Sequence, residues 1–327
     1  MAVIKKIFSI FLRIFISIIL LVFLFKQVDE KSLFSVIKNA DKPLLFLACG
    51  VFFFSYFLCL LRWQMLLKGA NIHLPLKRII ISFAGGIFFN LFLPSTIGGD
   101  FMRTIDLATH TKKPKEVVAT VFLDRLSGYV GLVILALTSL CFGRKFIEDK
   151  VIFLSVAVIT GLLIVILLVL FNNFLFRKIN RFMGKSGAGR IRESLKNLHH
   201  EIHIFRHQKK ILLKNISLSV LIQIISPLSF YCIALSLGVR IEFIYFLIFL
   251  PIIGAITLLP ISIGGLGLRD ASTVYFFTKV GMTKDFAFAM SLLSFSFIVF
   301  YGTIGGLIYV FTVRHRRIQS VKSPTAL

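Results

Sequence analysis

Eight stretches of almost uninterrupted apolar residues, at roughly 7–25, 44–61, 79–93, 117–141, 151–171, 211–237, 243–259 and 286–311, dominate the chain. Most reach the ~20 residues with which an α-helix crosses ~30 Å of hydrocarbon. Lipid offers no partner to a bare peptide group, so segments of this kind fold as helices that satisfy their own backbone. A soluble domain of 327 residues could not hide a chain that is 57% hydrophobic and holds 37 Phe. The solvent must be lipid. The expected fold is an all-α polytopic membrane protein with about six full transmembrane helices. The runs at 79–93 and 243–259 are short, and each leads straight into the same phrase.

That phrase is LPSTIGGDFMR at 93–103 and LPISIGGLGLR at 259–269, identical at six of eleven positions. Proline lacks an amide donor and glycine tolerates positive φ, so LPxxIGG stops a helix and turns the chain. Two re-entrant helical hairpins are expected, over 79–111 and 243–281. Irregular backbone at membrane depth must be buried in protein or line a wet cavity. Its freed N–H groups, together with the start of the next helix, would suit an anion. Arg103 and Arg269 follow about one turn later, and a guanidinium can hold two phosphate oxygens at once. The expected substrate-binding set is therefore Arg103, Arg269, Gly98, Gly99, Gly264, Gly265, Thr96 and Ser262. The plainer alternative is that each hairpin only packs tightly and its arginine serves an aspartate. Asp100, Arg103 and Asp106 share one helix face at i, i+3 spacing.

Basic loops stay on the cytoplasmic side. With both termini inside and both hairpins returning to the face they enter from, 25 of the 38 Lys/Arg lie inside and ten outside, with Arg103, Arg125 and Arg269 at membrane level. The first hairpin then enters from the cytoplasm and the second from the opposite face, which makes inverted-topology repeats. The halves would be 1–171 and 211–313, joined by a basic connector at 172–210 and followed by a basic tail at 314–327. A version in which all four hairpin arms span fully gives the same side assignments. Lys5 and Lys6 precede an apolar run with no small-x-small cleavage site, so the first run reads as an uncleaved span in the cytoplasmic (inner) membrane.

Asp124-Arg125 falls about eight residues into the helix that should start near Glu116, ~12 Å at 1.5 Å per residue. Ionisable residues at that depth are costly and mark function by default. Asp100, Asp124, Arg125 and Asp270 are the expected gating ion-pair network; a purely structural bridge from Asp124 to Arg103 is the alternative. Arg62-Trp63, at the end of its run, reads as an interfacial anchor.

The connector carries ten Lys/Arg against two acids. Ile191, Leu195, Leu198, Ile202 and Phe205 recur at helical spacing, so part of it should be an amphipathic helix on the membrane. His199, His200, His203 and His207 lie there too, but HHEIH is one residue short of HExxH, and no metal is expected. Cys49, Cys59, Cys141 and Cys232 read as buried reduced residues. The net charge of +24 is spread over loops between spans, which argues against nucleic acid. No P-loop, GxSxG or dinucleotide motif is present, so no cofactor and no ATP-driven pump are expected.

LPSTIGGDFMRTIDL, VVATVFLDRLSGYVGL and PISIGGLGLRDAS, in this order, resemble the membrane region of lysylphosphatidylglycerol synthases and their stand-alone, flippase-like relatives over roughly residues 7–311. The resemblance implies a module that binds an aminoacylated or glycosylated phospholipid, or moves it between leaflets. Full-length synthases add a soluble domain that transfers an amino acid from aminoacyl-tRNA. Only RHRRIQSVKSPTAL follows the last span here, so that activity is not expected. Many relatives have Glu where this chain has Asp270. Arg103, Asp124, Arg125 and Arg269 fall in the family's recurrent charged motifs. The resulting expectation is a lipid transporter rather than an enzyme. Its partners would be membrane lipids and a soluble or membrane synthase. The alternatives are an integral-membrane lipid-modifying transferase, with Asp100, Asp124 or Asp270 as base, and a non-catalytic membrane subunit of a lipid or glycan synthase.

Overall fold

The computed structural model describes residues 15, 17–27, 30–93, 98–143, 150–172, 174, 176, 193, 196, 201–202, 205, 208–257, 262 and 265–322, with side chains as far as Thr312. Among them every regular element is a helix. The first half holds α1 (Ser17–Gln27), α2 (Glu30–Lys38), α3 (Lys42–Gly69), α4 (Leu76–Asn90), α5 (Gly98–Thr111), α6 (Pro114–Gly143) and α7 (Lys150–Phe171). The second holds α8 (Lys209–Ser236), α9 (Phe243–Thr257), α10 (Leu268–Thr278) and α11 (Lys284–Lys322). Five segments (α3, α6 over Pro114–Phe142, α7, α8 and α11 over Lys284–Thr312) are long and apolar enough to cross a membrane. The sixth expected span, 7–25, is described only through α1. The chain is a polytopic helical membrane protein.

Local chemistry fixes where these helices begin and turn. The Asp41 carboxylate accepts the Leu44 N–H at 3.0 Å, and Pro43 sits in the first turn of α3, where a missing donor costs nothing. The hairpin arms α4 and α9 have 15 residues each, or about 22 Å at 1.5 Å per residue, short of the ~30 Å hydrocarbon core. In the first hairpin Gly86 of α4 meets Gly99 of α5 so closely that a methyl on Gly99 would overlap the Gly86 carbonyl oxygen. The second hairpin turns through Gly265 and Gly267, at φ 78° and 77°.

The two halves repeat one plan. Lys42 and Lys209 open helices of 28 residues, Leu76 and Phe243 open helices of 15, and each counterpart lies 167 residues on. Burial follows the same register: Ala48, Phe52, Arg62, Trp63, Leu66 and Gly69 are buried, and so are Asn215, Ser219, Ser229, Phe230, Ile233 and Ser236. The most extensive helix packing joins α3 to α8. Four hydrogen bonds to backbone carbonyls tie this region together. The Asp41 N–H donates to Ser236 O at 2.8 Å, Ser229 Oγ to Ala48 O at 2.8 Å, Asn215 Nδ2 to Arg62 O at 3.1 Å, and Gln208 Nε2 to Gly69 O at 2.8 Å. As one residue number rises the other falls, so the helices run antiparallel. Moving every residue to its counterpart exchanges the first bond with the last and the second with the third. A two-fold axis perpendicular to α3 and α8 therefore relates the halves, and in a bilayer such an axis inverts one half relative to the other.

The symmetry is broken outside this pair. Helix α6 packs closely on α8, with Gly131 against the backbone of Ser219 and Gln223 Nε2 donating to Gly128 O at 3.2 Å. Its counterpart α11 approaches α3 far less, reaching it through Tyr301, whose Oη donates to Cys49 O at 3.0 Å, and lies mainly on α4, with Gly305 against the Ala84 carbonyl, as α6 also lies on α9. Ile202 and Phe205 of the connector are buried beside Leu66 and Leu123, so their side of the expected amphipathic helix is packed on protein. Ile191, Leu195, Leu198 and the four connector histidines lie outside the described residues. All four cysteines are free as expected, but only Cys232 is buried and Cys141 is exposed.

Candidate functional site

Charged side chains from three helices of the first half converge inside the bundle. Arg62, about three-quarters of the way along α3, donates from Nε to Asp124 Oδ1 at 2.8 Å and from Nη1 to Ser219 Oγ at 3.1 Å. Arg103 of α5 donates from Nη2 to Asp124 Oδ2 at 3.0 Å and lies 3.0 Å from Asp100 Oδ1. Arg125 of α6 donates to the other Asp100 oxygen. The Arg103 guanidinium also stacks 4.6 Å from the centre of the Trp63 ring, a contact that gains strength when water is excluded. Among the described residues the network thus sets three guanidinium groups, Arg62, Arg103 and Arg125, against two carboxylates, Asp100 and Asp124. Four of the five side chains are under 10% exposed; Arg125 is 35% exposed. Guanidinium groups that outnumber the described carboxylates in such a place are the electrostatic case for an anionic ligand.

The second half carries a smaller arrangement. Arg269 of α10 donates from Nη2 to Asp270 Oδ1 at 2.9 Å, and the Gly267 N–H and Ser291 Oγ donate to the same carboxylate at 2.9 and 2.5 Å. Its guanidinium lies 5.0 Å from the Phe295 ring centre. By the helix register Arg62 has Ser229 as its counterpart. Counted from the starts of α6 and α11 at Pro114 and Lys284, Asp124 and Arg125 have Ser294 and Phe295. The second half keeps the hairpin arginine and replaces the rest of the network.

Both halves face one space. A cavity of about 370 Å³ is lined by Arg62, Arg125 and Arg269, with Tyr129, Gln223 and Ser226 among the polar groups, and its described lining holds no carboxylate. Beside it a pocket of about 130 Å³ is lined by Arg62, Arg125, Asp100, Arg103 and Asp124. Guanidinium groups with their carboxylates turned to the far side can present donors to phosphate oxygens.

The chain matches the family model described as the lysylphosphatidylglycerol synthase TM region over residues 10–306. It belongs to this family. Two relatives described as UPF0104 membrane proteins are similar along most of their length. The protein from Pyrococcus horikoshii is 25% identical over 308 residues, 86% of this chain and 91% of the relative. The protein from Methanothermobacter thermautotrophicus is 24% identical over 280 residues, 78% and 81% respectively.

Within this member of the lysylphosphatidylglycerol synthase membrane-region family, three of the four residues expected in the ion-pair network, Asp100, Asp124 and Arg125, come together, and Arg103 and Arg62 join them. Arg269 faces the large cavity, but Arg103 stands behind it, engaged by Asp100 and Asp124, while Arg62 and Arg125 supply the cavity's other guanidinium groups. Arg62 is no interfacial anchor: its helix continues through Leu66 and Leu67 to Gly69. That continuation, Leu-Leu after Trp-Gln-Met, is the signal that places Arg62 inside the span. Asp270 does not join the Asp100–Asp124–Arg125 network and serves Arg269 alone among the described arginines. Asp106 pairs with Arg78 at 2.6 Å rather than with Arg103. The Gly99 N–H, expected to be free for an anion, donates to Asn90 Oδ1 at 2.7 Å. Gly98 opens α5, Gly265 lies in the turn before α10, and Ser262 is buried with its hydroxyl unpartnered among the described residues. Thr96 and Gly264 lie outside the described residues.

Proposed function

We propose that this protein takes the phosphate-bearing head group of a membrane lipid into the arginine-lined cavity between its halves and carries it between leaflets. The observation that supports the reading is the set of three guanidinium groups, drawn from both halves, facing one space whose lining has no described carboxylate. The substrate class is an anionic phospholipid, including its aminoacylated or glycosylated forms. A phosphodiester would compete with Asp100 for Arg125, so binding would loosen one ion pair as it forms another. Halves related by inversion provide two equivalent rocking directions around a fixed site. The protein would lie in the cytoplasmic membrane with both termini on the cytoplasmic side, receiving its lipid from a synthase.

The lipid would cross without covalent change. Each carboxylate available as a base (Asp100, Asp124 or Asp270) is already engaged by a guanidinium. The test is leaflet exchange of labelled phospholipids in proteoliposomes, with wild type beside Arg125→Ala, Arg269→Ala and Asp124→Asn. Wild type should accelerate exchange of an anionic phospholipid and each variant should lose that acceleration. Equal exchange in all four would refute the site. A chemically altered lipid product from the purified protein would establish the transferase alternative.

A further inference from the structure

Where α11 approaches α3 least there is a groove of about 200 Å³ walled by α3, α4 and α11. Its lining is almost wholly apolar. Phe57, Ile80 and Ile304 form its mouth and are 42%, 36% and 39% exposed on the outer face of the bundle. Its inner wall holds Tyr56, Phe83 and Ile87, and these same three residues line the charged pocket of about 130 Å³. That pocket in turn shares Cys59, Arg62 and Arg125 with the arginine cavity. Three adjoining spaces therefore run from cationic, through mixed, to hydrocarbon-like. A phospholipid has the same order, from phosphate through glycerol to acyl chain.

We propose that this groove holds one acyl chain of the lipid whose phosphate occupies the arginine cavity, and that it is the lateral portal by which that lipid enters. The proposal rests on the head-group reading above. The two-fold relation adds an independent argument. Tyr56, Leu60, Phe83 and Ile87 of the groove have Gln223, Pro227, Leu250 and Gly254 as counterparts 167 residues on, and all four counterparts line the arginine cavity. The same place in the two repeats has thus become apolar in one and cation-lined in the other. Two equivalent clefts have diverged toward opposite ends of one amphiphile.

The experiment places the full chain in nanodiscs doped with a phosphatidylglycerol that carries a diazirine in one acyl chain, then maps photo-adducts by mass spectrometry. Adducts on Phe57, Ile80 and Ile304 should exceed those on the outward residues Leu162 and Val165 of α7 by about tenfold, a margin of ~1.4 kcal/mol in occupancy. The double variant Ile80→Phe, Ile304→Phe fills the mouth from surface positions that the core does not depend on. It should remove the enrichment while eluting as wild type does. Equal labelling of groove and α7, or enrichment that survives the filled mouth, overturns the proposal. Enrichment that persists unchanged in Arg125→Ala and Arg269→Ala leaves the acyl groove standing and overturns the head-group reading instead.

Discussion

In the first half Arg103 sits among two carboxylates and an indole, with two more guanidinium groups sharing those carboxylates. In the second, Arg269 has one carboxylate, a serine and a phenyl ring. The hairpins that carry them differ in the same spirit. One is drawn together by backbone-to-backbone contact at Gly86 and Gly99; the other is bent by glycines at positive φ. Yet the helix frame around both obeys one two-fold relation. The difference teaches that inversion is maintained by packing and backbone hydrogen bonds, while the electrostatics of the site are concentrated in one repeat. A charged cluster needs to be built only once.

Asp124→Asn tests this most severely. Arg62 and Arg103 would both lose a charged acceptor, and breaking a buried pair of this kind costs about 3–5 kcal/mol. Thermal unfolding in nanodiscs should show Asp124→Asn to be more damaging than Asp270→Asn, which strands only Arg269. An equal loss would break the comparison. Next in size is Gly99→Ala, where the new methyl must push α4 and α5 apart. Overpacking of this kind costs about 1–3 kcal/mol, and the upper end is expected because the obstacle is backbone. Gly265→Ala should cost less, about 1–2 kcal/mol from left-handed backbone strain alone, since its nearest neighbour is Thr257 Cβ at 3.5 Å. A reversed order of these two glycines would show that the hairpins are closed by the same means. The smallest effect belongs to Ser229→Ala, the counterpart of Arg62. It gives up one hydrogen bond to Ala48 O, worth about 1 kcal/mol, and leaves lipid exchange at the wild-type rate.

The hairpins were readable because a proline followed closely by Gly-Gly, repeated in both halves, interrupts the apolar runs, and the arms do start and stop beside the two copies. Asp100, Arg103, Asp124 and Arg125 were readable because charge inside apolar sequence is too costly to be incidental. Arg62 was not, because it stands where a run of long aliphatic residues gives way to Arg-Trp-Gln, which on composition alone resembles a membrane edge. Only its helix register places it beside Asp124. The separation of Asp270 from the other aspartates was hidden for another reason: a neighbouring Arg-Asp pair can close on itself, and sequence spacing does not say which acceptor wins. The preference of α11 for α4 over α3 left no sequence signal at all, because Gly302, Gly305 and Gly306 permit close approach without naming the partner helix.

Trp63 is the chain's sole tryptophan, fully buried with its face against the Arg103 guanidinium. Tryptophan emission from the unlabelled protein therefore comes from one indole touching the ion-pair cluster. Any event that pulls Arg103 away, or brings another anion to it, is written into the colour and lifetime of that single signal. The molecule comes with its own lamp at the place where it most needs to be watched.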